Sequence, residues 1–193
     1  MRDVFDLAKT LRLDPHAPYH RAYPHLVEFF NGAHQIQPST VVHAAHMVYG
    51  WMPTILEMHW GADDRHLHQV ADILTKARNG ADASPSDLTL LTGVVNRSLV
   101  GASKLLHLAA PDRYPIWDSR VYRFVHEAVP YHHRLNDVGT FDSYINLVRS
   151  LAKDPRARQL VADVNAMLGY KVTQVRAVEL VMFEHGAKSI DPR

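Results

Sequence analysis

The chain has 193 residues, of which 47% are hydrophobic and 21% are charged, as in ordinary globular proteins and unlike disordered chains. Its 21 basic and 20 acidic side chains leave a net charge of +1, so no overall field favours a nucleic acid or a membrane. The absence of cysteine excludes disulfides, thiolate catalysis and cysteine-based metal sites.

The beginning of the chain gives no indication of export. The first residues, MRDVFDLAKTLRLDP, carry charges throughout and contain no apolar stretch of the kind that a signal peptide needs. No apolar run in the sequence approaches the roughly 18 residues that span a bilayer. We therefore expect a cytoplasmic protein without a membrane partner.

The apolar residues recur at helical spacing in nearly every periodic segment, and segments with strict alternation are absent. We predict an all-α fold of eight or nine helices in a single globular domain, residues 1–193, with residues 1–80 as a candidate subregion packed on residues 84–193. In chain order, the predicted helices cover residues 3–11, 25–31, 41–61 with a kink or a junction of two helices at Pro53, 63–79, 84–109, 119–128, 140–151, 155–167 and 173–185.

The longest predicted helix, 84–109, has a buried face and, beside it, a polar edge that holds Lys104. Two prolines then enforce a loop, in which Trp117 is expected to anchor the chain to the core. Asp118 stands where the next helix begins, and a carboxylate there accepts backbone N–H groups at the positive end of the helix dipole. The stretch predicts either a capped helix junction with a solvated lysine or a loop that folds Asp118 back toward Lys104.

The last predicted helix contains the apolar run VRAVELVMF and is ended by Gly186. Arg176 and Glu179 are three residues apart in this run, a spacing that puts them on one face of a helix. We expect that face to point to solvent, with the rest of the helix in the core.

Residues 96–125 contain a glycine and a lysine in an apolar helix, then a loop, then an aspartate at the start of another helix. In this order they resemble the helix-hairpin-helix DNA glycosylases, most of all the shortened segment of bacterial and archaeal oxoguanine-glycosylase-like proteins. The resemblance implies an all-α fold in which a lysine attacks the sugar carbon and an aspartate supports release of a flipped base. It places Lys104 at the nucleophile position and Asp118 at the aspartate position.

Arginines near this segment supply candidate contacts to DNA phosphates, namely Arg97, Arg120 and Arg123. DNA is therefore the expected partner, and no cofactor is expected. This hypothesis predicts a cleft between the 84–109 helix and the 119–128 helix, rimmed by Arg120 and Arg123.

Two other functions stay open. A non-enzymatic helical module that binds a protein or a nucleic acid predicts that Asp118 is fully engaged as a cap and that Lys104 points to solvent. A metal-dependent hydrolase would use His43 and His46, which are three residues apart, with His59 as a further ligand. Two imidazoles at this spacing on a helix can share one metal ion.

Overall fold

The computed structural model describes residues 2–33, 35–52 and 54–186, and in these ranges it contains eleven helices and no β-strand. The all-α prediction is confirmed, and the expected number of eight or nine helices is wrong. The helices are α1 (Val4–Ala8), α2 (Pro18–Gly32), α3 (Pro38–Trp51), α4 (Arg65–Arg78), α5 (Pro85–Val94), α6 (Leu99–Ala109), α7 (Ser119–His126), α8 (His132–Leu135), α9 (Val138–Ala152), α10 (Ala157–Leu168) and α11 (Gln174–Gly186).

The predicted helix 84–109 is interrupted, which accounts for one additional helix, and the short α8 accounts for another. A turn over residues 95–98 separates α5 from α6. Within it, Asn96 and Arg97 both have left-handed backbone, with φ of 52° and 47°. The Asn96 side chain donates a 2.8 Å hydrogen bond to the backbone of residues 55–57 and accepts one of 2.6 Å from it. These hydrogen bonds hold the turn, which contains no proline.

Two buried helices organise the packing. α6 contacts α2, α3, α4 and α5, whereas α11 contacts α1, α7, α9 and α10. Every residue of α6 from Gly101 to Ala109 is buried, and so is every residue of α11 from Val175 to Met182. A helix that is buried all round has no solvent face for its polar side chains. The charged residues in these stretches therefore lie inside the protein.

One hydrophobic core includes residues from both parts of the described chain. Phe30 and Val48 join it from α2 and α3, and Phe141 and Val181 join it from α9 and α11. The helices before and after the loop at residue 82 thus share one apolar interior. The separate subregion 1–80 stays a prediction.

The segment 41–61 forms a helix that stops short of its predicted end. α3 ends at Trp51, and the described residues between Trp51 and the start of α4 form no further helix. The kink predicted at Pro53 falls on a residue outside the described ranges. None of the helices in those ranges has both the length and the apolar character needed to cross a bilayer.

α7 and α11 come into backbone contact at Gly186. A Cβ atom added to Gly186 would overlap the backbone carbonyl group of Arg120. Glycine is the residue that permits so close an approach. The contact fixes the first turn of α7, and with it the preceding Asp118, against the end of α11.

Candidate active site

Lys104 lies in the interior, so the expectation of a solvated polar edge is wrong. It is on the second turn of α6, and the residue is only 5% exposed. Ser103 and His107, which share the polar edge of this helix, are fully buried. Because an ammonium group is strongly hydrated in water, burial disfavours its charged form. The fold thus places an amine in surroundings that destabilise its charged form.

The loop between α6 and α7 is bound back onto α6 by two buried side chains. The backbone N–H of Trp117 donates to the Ser103 hydroxyl at 3.0 Å. His107 Nδ1 lies 2.6 Å from the Tyr114 carbonyl, and its Nε2 lies 2.8 Å from the Tyr23 hydroxyl. A carbonyl can only accept, so these partners assign the proton to Nδ1. Trp117 is completely buried, which confirms that it anchors the loop.

Asp118 caps α7, as its position predicts. Its Oδ1 accepts the N–H groups of Arg120 and Val121, both at 2.9 Å. Burial lowers the pKa of the Lys104 amine, and among the groups that raise it the Asp118 carboxylate has the largest effect. No hydrogen bond or ion pair joins these two side chains, both of which the structure describes. The loop therefore brings Asp118 into electrostatic range of Lys104 without direct contact.

A second pair of charges is buried on α11, so the expectation that these residues face solvent is wrong. Arg176 is 1% exposed and Glu179 is 0% exposed. Arg176 Nη1 donates to Glu179 Oε2, and its Nη2 donates to the Tyr19 hydroxyl at 3.1 Å. Glu179 Oε1 is buried and has no hydrogen-bond partner among the described residues. We call Lys104, Asp118, Arg176 and Glu179 the charge cluster.

Two pKa values in the charge cluster lie close together. Burial lowers the pKa of Lys104 to about 8, although Asp118 and Glu179 oppose this shift. Burial raises the pKa of Glu179 to about 7, although Arg176 opposes it. Burial also disfavours the charge on Arg176, but Glu179, Tyr19 and Tyr23 together outweigh it, so the pKa of Arg176 is raised. Lys104 and Glu179 can therefore both exchange a proton near neutral pH.

An aromatic stack lies beside the charge cluster. The Tyr19 ring is parallel to those of Trp51 and Phe183, with centroid distances of 4.4 and 5.8 Å. The Arg120 guanidinium extends the stack, 4.6 Å from the centre of the Phe183 ring. Since Tyr19 also accepts the hydrogen bond from Arg176, the aromatic stack is directly connected to the charge cluster.

The predicted phosphate contacts do not line the predicted cleft. Arg97 is exposed on the turn before α6, Arg120 is exposed at the end of the aromatic stack, and Arg123 is half-buried one turn further along α7. The chief packing partner of α7 is α11. Neither Lys104 nor Asp118 lines any of the five cavities described among residues 2–33, 35–52 and 54–186.

The three histidines of the metal hypothesis do not converge. His43 and His46 are exposed on α3, and the His46 ring bonds to the carbonyl of Val42 in its own helix at 2.9 Å. His59 lies in the segment after α3, with Nε2 3.8 Å from a Glu57 carboxylate oxygen. The described residues contain no group of three side chains that could hold a metal ion. The structure thus gives the metal-dependent hydrolase no support.

The sequence around Arg176 and Glu179 indicates that both residues are buried. In VRAVELVMF the apolar residues surround the helix instead of forming one stripe, and such a helix is buried. An arginine and a glutamate at this spacing can pair with each other inside the run. The run therefore indicates a buried ion pair better than it indicates a charged edge.

The chain has no match among known protein families, curated proteins or solved structures. The resemblance of residues 96–125 to the glycosylases therefore rests on those residues alone. The function has to be argued from the geometry and charge of the site.

Proposed function

We propose that this protein is a DNA glycosylase-like enzyme that acts on a flipped base through Lys104 and Asp118. The observation that carries the proposal is the burial of Lys104 near the Asp118 carboxylate, with a pKa that burial lowers to about 8. At pH 7.5, about a quarter of such amines are neutral, against about one in a thousand for an ordinary lysine. The neutral amine is the nucleophilic form.

In the proposed reaction, Lys104 Nζ attacks C1′ of the sugar. The Nζ–C1′ bond forms, the bond from C1′ to the base breaks, and the base leaves with the electron pair and takes up a proton. The attacking nitrogen releases a proton. The nitrogen lone pair then forms the C1′=Nζ bond as the C1′–O4′ bond breaks, and O4′ keeps the electron pair and takes up a proton, which leaves a protonated imine. Glu179 can accept the released proton because burial raises its pKa to about 7. Asp118 stabilises the positive charge that develops on the sugar.

The turn over residues 95–98 gives the proposal further support. It joins two helices just before Lys104, which is the order that the resemblance to helix-hairpin-helix proteins implies. Arg97 is exposed on this turn and suits a contact with a DNA phosphate. The nucleophile then follows on the second of the two helices.

A second candidate function is a non-enzymatic helical module that binds a protein or a nucleic acid. Two observations favour it. None of the described cavities is lined by Lys104, and Asp118 Oδ1 is occupied by the cap of α7. In such a module the charge cluster would only hold α6, α7 and α11 in register. The reactivity of the Lys104 amine distinguishes the two functions.

Borohydride trapping tests the proposed function, because borohydride reduces an imine to a stable secondary amine. The protein is incubated with duplex and single-stranded oligonucleotides that carry oxidised, deaminated or abasic sites. We expect a covalent adduct with the wild type and none with Lys104→Gln. The matched control is Lys76→Gln, which changes an exposed lysine on α4 and should leave the adduct intact. Peptide mapping by mass spectrometry should place the adduct on Lys104.

Asp118→Asn separates the two chemical roles. This variant should release the base more slowly, but it should still form the adduct at a pre-formed abasic site, where no base has to leave. Thermal unfolding of each variant shows that it is folded. An adduct that persists in folded Lys104→Gln, or no adduct on any substrate, would overturn the enzyme and leave the binding module.

A further inference from the structure

The largest of the described cavities lies at the N-terminal end of α11, and its lining includes no member of the charge cluster. Its volume is about 670 Å³, and α9, the start of α11 and the loops around residues 82 and 112 form its walls. We call it the arginine cavity. The charged side chains that line it are Asp82, Asp112, Arg113, Arg149 and Lys153.

Two arginines are held side by side in this cavity. The Asp82 Oδ1 atom accepts from Arg113 Nη2 at 2.8 Å and from Arg149 Nη1 at 2.7 Å. Arg149 Nε also donates to the Arg113 carbonyl at 2.8 Å, and its guanidinium lies 5.0 Å from the centre of the Tyr114 ring. These contacts fix both guanidinium groups before any ligand binds, which lowers the entropy lost on binding.

The arginine cavity has more donors than acceptors. Arg113 Nε and Arg149 Nη2 are buried and have no hydrogen-bond partner in the described part of the chain. Lys153 adds a third cation, against the two carboxylates of Asp82 and Asp112. The first turn of α11 also begins in this wall. Thr173 Oγ1 accepts the Arg176 N–H, and the N–H groups of Gln174 and Val175 have no acceptor within the helix. The excess of donors and positive charge fits an anion.

We propose that the arginine cavity binds a phosphate monoester, whose oxygens accept hydrogen bonds from Arg113 and Arg149. Guanidinium groups match phosphate oxygens in geometry, and a monoester carries close to two negative charges at pH 7. The Asp82 side chain is 65% exposed and carries one charge, so it can turn out to water while the phosphate takes its place. Asp82 is thus an internal competitor for the ligand.

This inference does not rest on the proposed function, because no group of the charge cluster takes part in it. The phosphate monoester has two natural sources, a small phosphorylated molecule or the terminal phosphate of a nucleic acid strand. The cavity is large enough for a sugar phosphate or a nucleotide, since ligand sites have volumes of about 300–1,000 Å³.

Isothermal titration with inorganic phosphate, at an ionic strength matched with chloride, tests the site. We expect the wild type to bind phosphate saturably and Arg149→Gln to bind it at least about tenfold more weakly. The matched control is Arg158→Gln, at an exposed position on α10, which should leave binding unchanged. Asp82→Asn should bind phosphate more tightly than the wild type, because it removes the competing carboxylate and keeps the side-chain shape.

A second set of titrations identifies the source of the phosphate. The ligands are ribose 5-phosphate, a 5′-phosphorylated oligonucleotide and the same oligonucleotide with a 5′-hydroxyl group. Preference for the sugar phosphate assigns a small molecule, whereas preference for the phosphorylated strand assigns a nucleic acid end. The proposal is overturned if wild-type protein shows no saturable phosphate binding, if folded Arg149→Gln binds as the wild type does, or if Asp82→Asn binds more weakly. Lys104→Gln should retain phosphate binding, so failure of one site is separable from failure of the other.

Discussion

The charge cluster and the arginine cavity contain the same kinds of groups in opposite surroundings. In the charge cluster, Arg176 pairs with Glu179, and both residues are almost completely buried. In the arginine cavity, Arg149 pairs with Asp82, whose side chain is 65% exposed. Water screens the second pair much more than the first. Burial, more than residue type, therefore determines which ion pair controls stability and which pair can exchange its partner for a ligand.

The largest difference between the two regions should appear when one arginine is removed from each. Arg176→Met leaves the Glu179 carboxyl buried without its partner, so that it must stay charged and unpaired or take up a proton, and we expect the free energy of unfolding to fall by about 3–5 kcal/mol. Arg149→Met loses a screened ion pair and one hydrogen bond, and should lower it by about 1–2 kcal/mol. Urea unfolding of both variants measures the difference. Equal losses would contradict the distinction between a buried and a solvent-shared pair.

The two regions should also differ in how their contributions to stability depend on pH, and the charge cluster should respond at alkaline pH. The pKa of Lys104 is lowered to about 8 from 10.5, mainly by burial, so the unfolded chain binds more protons between these values. The stability of the wild type relative to Lys104→Met should therefore rise from pH 8 toward pH 10, by at most about 1.4 kcal/mol per pH unit. Urea unfolding of both proteins at pH 7, 8, 9 and 10 checks this. A constant difference would show that the amine is hydrated.

Asp82 should respond at the other end of the pH scale. Burial acts to raise the pKa of Asp82, but Arg149 and Arg113 outweigh it, so the pKa is lowered from 3.8. Its contribution to stability is therefore present above pH 3.8 and lost as the pH falls below that value. The contribution of the Asp82 ion pairs to the free energy of unfolding should not change in the pH range where the charge cluster titrates. Asp82→Asn is the control that removes this contribution.

The smallest expected effect is at Asp118, which lies at the edge of the charge cluster. Asp118→Ala removes the cap of α7 and should lower the free energy of unfolding by about 1 kcal/mol. Asp118→Ser retains a good cap and should restore most of that stability without restoring the carboxylate. Base release that recovers in Asp118→Ser would assign the residue a structural role only.

The sequence predicts the fold class better than it predicts where individual helices begin and end. Apolar residues at helical spacing predicted the all-α class and the approximate position of most helices. The division between α5 and α6 could not be predicted, because the turn at Asn96 and Arg97 is held by a contact with residues 55–57 and not by a proline. Such a contact depends on packing between segments that lie far apart in the sequence. Local propensity carries no information about it.

The candidate site could be predicted in part. The sequence singled out Lys104 and Asp118, and the structure brings their charges into range, but spacing alone could not tell a solvated lysine from a buried one. The burial of Lys104 depends on four helices that surround α6. Arg113 and Arg149 are 36 residues apart and come together only through the packing of α9 on the loop before α7. No motif in the sequence indicated that pairing.

The glycine contact between α7 and α11 links two members of the charge cluster. The two helices touch backbone to backbone at Gly186, where there is no room for a side chain. Asp118 precedes the first of these helices and Glu179 lies on the second, so a displacement of α7 from α11 would also displace one carboxylate relative to the other. Lys104 is on a different helix, α6. A larger residue at position 186 should therefore separate α7 from α11, and with it alter the influence of Asp118 and Glu179 on the pKa of Lys104.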